Sequence, residues 1–418
     1  MAAVLVAEAA VLLLRPREGV ITPAPVQAEA YFSAAQLERA RAFRAPQRVL
    51  GLAGLAVEVG LLVWLVRRPP RVLGRRFRHP LVAAALAGAA LSVAVDAAGL
   101  PLRGVARARA KEVGLVTQGW PGWAWDVARG WAIGAVFAGS GAAVAVALIR
   151  RSPRGWWLPG SVAVVAFGAA TLTVGPVVLD PVFNRFEPVP PGALRADVLR
   201  LAERAGVQVG EVYRMDASRR TTAANAYVAG LGATKRVVLY DTLLEGFTPE
   251  QVRFVVAHEL AHVRHRDLQH GLLFLALVTP AALFAGSRLT ARLAPPAPAG
   301  WAGPAVLPAL ALSVVALSTT VTVVSNQLSR RVEARADSFA LRLTRAPEPF
   351  IAFERRIAVR NVSEPSPPAW SHALFGTHPT TLQRIGIGEA FAAGGQAAPE
   401  AEPARRRGVA GRRTRGGS

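Results

Sequence analysis

The sequence predicts a mainly α membrane protein that carries a small α+β unit. Three observations predict it. Of the 418 residues, 52% are hydrophobic, and the mean hydropathy is +0.31, too apolar for an average soluble protein. The apolar residues are gathered into long uncharged runs. Between two of those runs, residues 183–270 read as a folded soluble stretch.

A helix needs about 20 apolar residues to cross a hydrocarbon core. Val49–Val66, Pro80–Leu102, Trp131–Ile149, Trp156–Leu179 and Pro304–Leu328 meet or approach this. Gly271–Gly286 is shorter, and Arg288 extends it by snorkelling. A seventh, weaker span is predicted near residues 3–14, within AAVLVAEAAVLLL. That run lacks the basic start and small-residue cleavage site of a signal peptide. The expected organisation is an N-terminal membrane region (1–182), a soluble unit (183–270), two last spans (271–328) and a second soluble unit (329–392). A disordered basic tail (393–418), rich in Gly, Pro, Ala and Arg, follows.

Within 183–270, Leu194, Val198 and Leu201 have helical spacing. VQVGEVYRM, AANAYVAGL and KRVVLYD read as strands, and GLGATK joins the last two as a hairpin. The stretch closes on FVVAHELAHVRHRD, Phe254 to Asp267.

Net charge is +22, yet only Lys111 and Lys235 among 49 basic residues are lysine. Many arginines flank apolar runs, where positive charge orients membrane proteins. No nucleic-acid recognition motif accompanies the charge, so nucleic acid is not an expected partner. Cysteine is absent. That excludes disulfides and thiolate metal sites, so any metal must use His, Asp and Glu.

His258 and His262 are four apart and project from one face of a helix. Both imidazoles can then reach one tetrahedral zinc, with Glu259 beside them to take a proton from a bound water. From 7 His and 19 Glu in the chain, H-E-x-x-H is expected by chance only about 0.005 times. His265 and His270 read as surface or interfacial residues. A third ligand must come from elsewhere. In NQLSRRVEARADSFAL, Glu333 and Asp337 are again four apart. One could bind the metal while the other holds a ligand histidine by its free nitrogen. Glu354 lies in the same soluble unit without a motif and serves as the contrast to Glu333, with His372 as the next candidate ligand. Glu58 and Asp96 fall inside predicted spans, where a lipid-facing charge costs about 2.5 kcal/mol or more. Either a water-filled chamber or a pairing with arginine would accommodate each.

These blocks resemble the integral-membrane zinc endoproteases of the CAAX prenyl protease type I family, with the HtpX-type membrane proteases as more distant relatives. The resemblance runs from about Phe32 to Ile385. It is carried by DPVFNRFEPVP (Asp180–Pro190), NAYVAGLGATKRVVLYDTLL (Asn225–Leu244), HELAH (His258–His262), SRRVEARADSFA (Ser329–Ala340) and HPTTLQRI (His378–Ile385). It implies about seven transmembrane helices around a chamber, with a zincin-like catalytic unit. It implies that His258, His262 and Glu333 bind one zinc ion, that Glu259 is the general base and that Asp337 supports a ligand from behind. His378 and Arg384 fall where the family places groups near the tetrahedral intermediate. The residues themselves also suit Arg384 to holding its helix, or Glu333, in place, with Pro379 starting that helix and Arg384 ending it a turn and a half later. Asn225, Ala226 and Tyr227 fall on the edge strand where a peptide substrate is laid out. A peptide or protein substrate and the lipid bilayer are the expected partners.

The composition suggests a bacterial plasma membrane, where a prenylated substrate is not expected. The soluble units share a face with the basic segments Arg15–Arg48 and Arg103–Gly130, which favours a cytoplasmic site. Six arginines in Arg67–Arg78, opposite, run against that rule.

Overall fold

The computed structural model describes residues 2–75, 77–230, 235–294 and 303–394. Residues 295–302 and 395–418, the latter within the expected tail, lie outside the described residues, as do residues 231–234 of the expected hairpin link.

The N-terminal region is helical: α1 (Ala2–Leu14), α2 (Ala34–Arg67), α3 (Pro80–Glu112), α4 (Trp120–Arg151), α5 (Trp157–Val178) and the short α6 (Asp180–Phe183). Helix α2 starts well before its apolar run, on a capping box in which Ser33 and Gln36 satisfy each other's backbone N–H groups. Its polar first half reaches the C-terminal part of the chain, where Arg44 donates to the carbonyls of Asn361 (2.6 Å) and Val362 (2.8 Å). Helices α3 and α4 meet through small residues. A Cβ on Gly88 would lie 2.4 Å from the Ala142 Cβ, and one on Gly139 would lie 2.9 Å from the Ala85 carbonyl. Close backbone approach of this kind is how helices pack where lipid removes the hydrophobic drive.

The soluble unit adds β1 (Phe186–Pro188), α7 (Ala193–Arg204), β2 (Glu211–Met215), β3 (Ala226–Ala229), β4 (Arg236–Tyr240), α8 (Asp241–Gly246) and α9 (Pro249–Arg264). The strands order as β1-β2-β4-β3, with β2 and β4 parallel and the outer pairs antiparallel. Three strands lie where the hydrophobic pattern placed them; β1 was not expected. Alternate residues Val212, Val237 and Leu239 face α7 and α9 in one core. The opposite face holds Tyr213, Tyr227 and Tyr240 around Val238.

The chain continues into α10 (Asp267–Leu293), α11 (Leu307–Thr344), α12 (Pro347–Arg360), α13 (Ala369–Phe375) and α14 (Thr381–Gly394). Only His265 and Arg266 separate α9 from α10, and Arg266 adopts the left-handed conformation (φ 57°). Hydrogen bonds run across the turn from His265 N–H to Ala261 O (2.8 Å), from Arg266 N–H to Val263 O (3.1 Å) and from His270 N–H to Arg266 O (3.1 Å). The histidine-rich helix therefore passes directly into a span.

Among the described residues six helices, not seven, are long and apolar enough to cross a membrane. The expected first span is the 13-residue α1, which packs Ala7, Ala10 and Val11 against Val278 of α10 and Val324 of α11. At about 1.5 Å per residue it is too short to span by itself. The divisions expected at 270/271 and 328/329 fall inside α10 and α11, so span and soluble unit share continuous helices. Between the spans lies a mostly apolar cavity of about 690 Å³. Glu58 of α2 and Asp96 of α3 both line it, and Asp96 also pairs with Arg103 at 3.0 Å.

Candidate metal centre

Helix α9 begins on a second capping box, Thr248 with Gln251, and has Pro249 in its first turn. Phe254, Val256, Ala257 and Leu260 are buried, and Phe254 packs on Phe350 with ring centroids 4.4 Å apart. Phe254 lies one turn before His258 on the same stripe, with ring centroids 6.4 Å apart, so this packing fixes the face that carries His258 and His262. Helix α11 lies alongside α9 and presents Glu333 and Asp337 one turn apart.

The three polar tips converge. His258 Nε2 is 3.1 Å from Glu333 Oε2 and 3.3 Å from His262 Nε2, and His262 Nε2 is 3.8 Å from Glu333 Oε1. A tetrahedral ion with ligand bonds of 2.0–2.1 Å has ligand atoms about 3.3 Å apart. Carboxylates behind the rings set their tautomers. His258 Nδ1–H donates to Asp337 Oδ1 (2.8 Å), and His262 Nδ1–H donates to Asp267 Oδ2 (2.9 Å). Both Nε2 lone pairs then point at the Glu333 carboxylate, a donor set that suits a cation at its centre. The local field agrees. Burial opposes charge on His258, but the Asp337 and Glu333 carboxylates outweigh it and raise its pKa to about 10. A site that favours a proton on an imidazole this strongly also favours a metal ion. His258, His262 and Glu333 are the group of described residues able to hold one.

The support behind His258 runs deeper than the sequence suggested. Arg384 donates twice to Asp337, through Nε (2.8 Å) and Nη2 (2.6 Å). Its remaining Nη1 lies 3.0 Å from Glu354 Oε1. Asp337 is fully buried, and Glu354 is 2% exposed with Oε1 making no hydrogen bond. Burial opposes the charge on Arg384, but Asp337 and Glu354 raise its pKa and keep it cationic. Burial drives the Glu354 carboxyl up to about 7, against the pull of Arg384. Arg384 is thus brought to Asp337 rather than to the converging tips. Glu354, chosen from the sequence as a neutral contrast, belongs to the same network. Asp267, behind His262, is a further supporting residue that the sequence reading did not include. Asp267 had a signal, a carboxylate five residues after His262; Glu354 had none.

His378 reaches the open side of the group, with Nε2 3.3 Å from Glu333 Oε2 and the side chain 55% exposed. Its Nδ1 is 2.8 Å from the Thr377 hydroxyl, and its carbonyl accepts from His372 Nε2 at 2.9 Å. Surrounding protein pushes its pKa down, with Glu333 acting the other way. His372 therefore holds the His378 turn and is not among the converging ligands. Helix α14 is capped by Thr380 and Gln383, and Arg384 sits in its first turn rather than at its end. Glu259 lies between the two histidines in sequence, and burial raises its pKa. His265 packs edge-on against Phe339, and His270 is exposed.

Strand β3 is a sheet edge, paired with β4 on one side only. Asn225, just before it, is exposed and accepts from Tyr240 N–H (3.1 Å). Ala226 is buried, and the Tyr227 hydroxyl donates to Asp180 (2.8 Å). The approach to β3 is clamped by the loop between α3 and α4. Thr222 N–H donates to Leu115 O (3.2 Å) and Thr117 N–H to Arg220 O (3.1 Å). Arg220 also grips Asp126 of α4 at 2.9 Å.

Comparison with known proteins places this arrangement. Residues 188–387 match the Peptidase family M48 model. The chain is 33% identical over 243 residues to the Bacillus subtilis (strain 168) "Uncharacterized metalloprotease YhfN", covering 57% of each protein. It is 28% identical over 225 residues to the "CAAX prenyl protease 1 homolog" of Oryza sativa subsp. japonica, covering 53% of this chain and 52% of the rice protein. The chain therefore spans about half the length of the curated relatives it matches. Its fold is that of the S. mikatae Ste24p crystal structure, with a TM-score of 0.72 over 93% of this chain and 99% of that one, at 18% identity. Residues 188–387 are thus similar to Peptidase family M48, in a chain whose fold is that of Ste24p.

Proposed function

We infer that the protein is a membrane-embedded zinc endopeptidase resembling the CAAX prenyl endoproteases, acting on peptides or proteins at the bilayer. One observation carries this reading: His258, His262 and Glu333 converge beside Glu259, with both rings oriented by carboxylates, inside the M48-matched segment. His258, His262 and Glu333 would hold one zinc ion, which supplies Lewis-acid polarisation and a water that is acidic near pH 7.

The protein side chains do the rest. Asp337 and Asp267 hold the ligand rings in the metal-binding tautomer. Glu259, its pKa raised by burial, accepts the proton of the attacking water and returns it to the leaving amine. The free edge of β3, from Asn225 through Ala226 and Tyr227, aligns an extended substrate by main-chain hydrogen bonds. His378, with Nδ1 engaged by Thr377, offers Nε2–H to the developing oxyanion. Arg384 fixes Asp337 and so acts through His258.

The protein belongs in a bacterial plasma membrane with the site facing the cytoplasm, supported by the basic segments of α2 and of the α3–α4 turn on the site's side. A structural metal in a transporter fits less well, because such sites use four protein ligands and need no adjacent carboxylate. A quality-control protease of the HtpX type is the second reading, favoured by the apolar cavity between the spans.

Glu259→Gln should retain zinc and lose hydrolysis of an unstructured peptide by about 10³-fold or more. Zinc content and steady-state kinetics on the purified chain decide it; near-parental turnover would sink the general-base assignment. His378→Ala should lower kcat about 10²-fold with KM and zinc content unchanged. A variant as fast as its parent leaves His378 without an oxyanion role.

A further inference from the structure

A second polar cleft opens beside α11, with a volume of about 790 Å³. Arg15, Arg17, Arg330 and Arg331 line it, with His372 and Gln383 at one side. None of its described lining residues is Asp or Glu. Arg330 is held by the carbonyls of His372 (3.3 Å) and Gly376 (2.7 Å). Arg15, Arg17 and Arg331 are exposed, and no side-chain hydrogen bond or ion pair joins them to another described residue. Of the acids nearby in the fold, Glu8 accepts from Gln327 (3.0 Å), and Glu18 lines an adjoining cleft with Arg17, Arg335 and Arg342.

The depth of this cleft narrows its ligand. Arg15 is the first basic residue after the apolar run of α1. Arg330 is the first charged residue after the run that begins at Pro304. Helix α10, packed against both, starts its apolar run at Gly271. Three apolar runs thus end at one level, so the cleft opens at the boundary between hydrocarbon and water. Four guanidinium groups without a carboxylate repel one another, and an anion with several acceptor oxygens relieves that repulsion. The anions fixed at this depth in a bilayer are lipid phosphates.

We propose that this cleft binds a phosphate anion, supplied in the membrane by the headgroup of an acidic phospholipid. The headgroup meets Arg15 and Arg17 from the segment after α1 and Arg330 and Arg331 from α11, tying the two together. Through Arg330 it also braces the turn that carries His372. This binding does not depend on any chemistry at His258 and His262.

The test uses the purified full chain in detergent micelles containing equal amounts of phosphatidylglycerol and phosphatidylcholine, with retained lipid counted by native mass spectrometry. Phosphatidylglycerol should be retained in preference, and an Arg15→Gln/Arg17→Gln/Arg331→Gln variant should lose it about tenfold or more. A control variant, Arg67→Gln/Arg68→Gln/Arg71→Gln, alters three equally exposed arginines at the far end of α2; it should retain phosphatidylglycerol like the parent. Inorganic phosphate distinguishes the source. If it raises the thermal midpoint of the parent and control but not of the cleft variant, while phosphatidylglycerol is not retained, the ligand is free phosphate. Equal loss in both variants assigns the effect to general surface charge and overturns the proposal. So does equal retention of the two lipids with no response to phosphate.

Discussion

The two histidines of the motif are held from behind in different ways. His262 leans on Asp267, five residues on, whose side chain is 11% exposed and paired with Arg335 at 2.5 Å. His258 leans on Asp337, 79 residues away and fully buried, which Arg384 grips twice while also meeting Glu354. One support is local and comes with the turn after α9. The other is tertiary and joins α9, α11, α12 and α14. The first keeps a ring in place; the second also ties the metal centre to the stability of the fold.

The sharpest way to break this comparison is Asp337→Ala. It leaves Arg384 buried without its main partner and His258 without orientation. Zinc affinity should fall about 10–100-fold, and stability should fall by about 3–5 kcal/mol. Zinc titration and denaturation of the metal-free protein measure the two separately. Asp267→Ala should cost zinc affinity about tenfold but less stability than Asp337→Ala, because Asp267 is 11% exposed and meets one arginine nitrogen, where Asp337 is fully buried and meets two. Equal stability losses for the two variants would erase the distinction between local and tertiary support.

The smallest effect belongs to Glu354 and is seen in pH. Its folded pKa is raised from 4.5 to about 7, so the folded state holds a proton that the unfolded state releases between those values. Its stabilising contribution is complete below about 4.5 and is lost as pH rises through about 7. Glu354→Gln keeps the neutral shape and should flatten this decline. Thermal midpoints of parent and variant at pH 5 and pH 8 check it; identical slopes would remove Glu354 from the network's proton balance.

What could be read from the sequence follows the same division. His258, Glu259 and His262 were legible because one helix brings residues four apart to one face. Three strands were legible from alternating apolar residues, whereas β1 is three residues long and has too little pattern to detect. Glu333 and Asp337 showed a shared face, but which carboxylate meets the tips and which lies behind a ring is a fact of how α11 packs on α9. Glu354 was illegible in principle. A single glutamate among arginines looks solvated until the fold places it 2% exposed behind Arg384. The expected first span is α1, whose Ala7, Ala10 and Val11 shelter between α10 and α11.

The left-handed turn at Arg266 has a mechanical meaning. Such a conformation costs a non-glycine residue about 1–2 kcal/mol, and here it is held by hydrogen bonds from His265, Arg266 and His270 N–H to Ala261, Val263 and Arg266 carbonyls. The apolar run it leads into, 271–286, is short for a hydrocarbon core, a mismatch met by thinning of the bilayer and snorkelling of flanking residues. A two-residue joint connects that span to the end of α9, where His262 faces Asp267 on the first turn of α10. One ligand ring and the first turn of a span are thereby parts of a single joint.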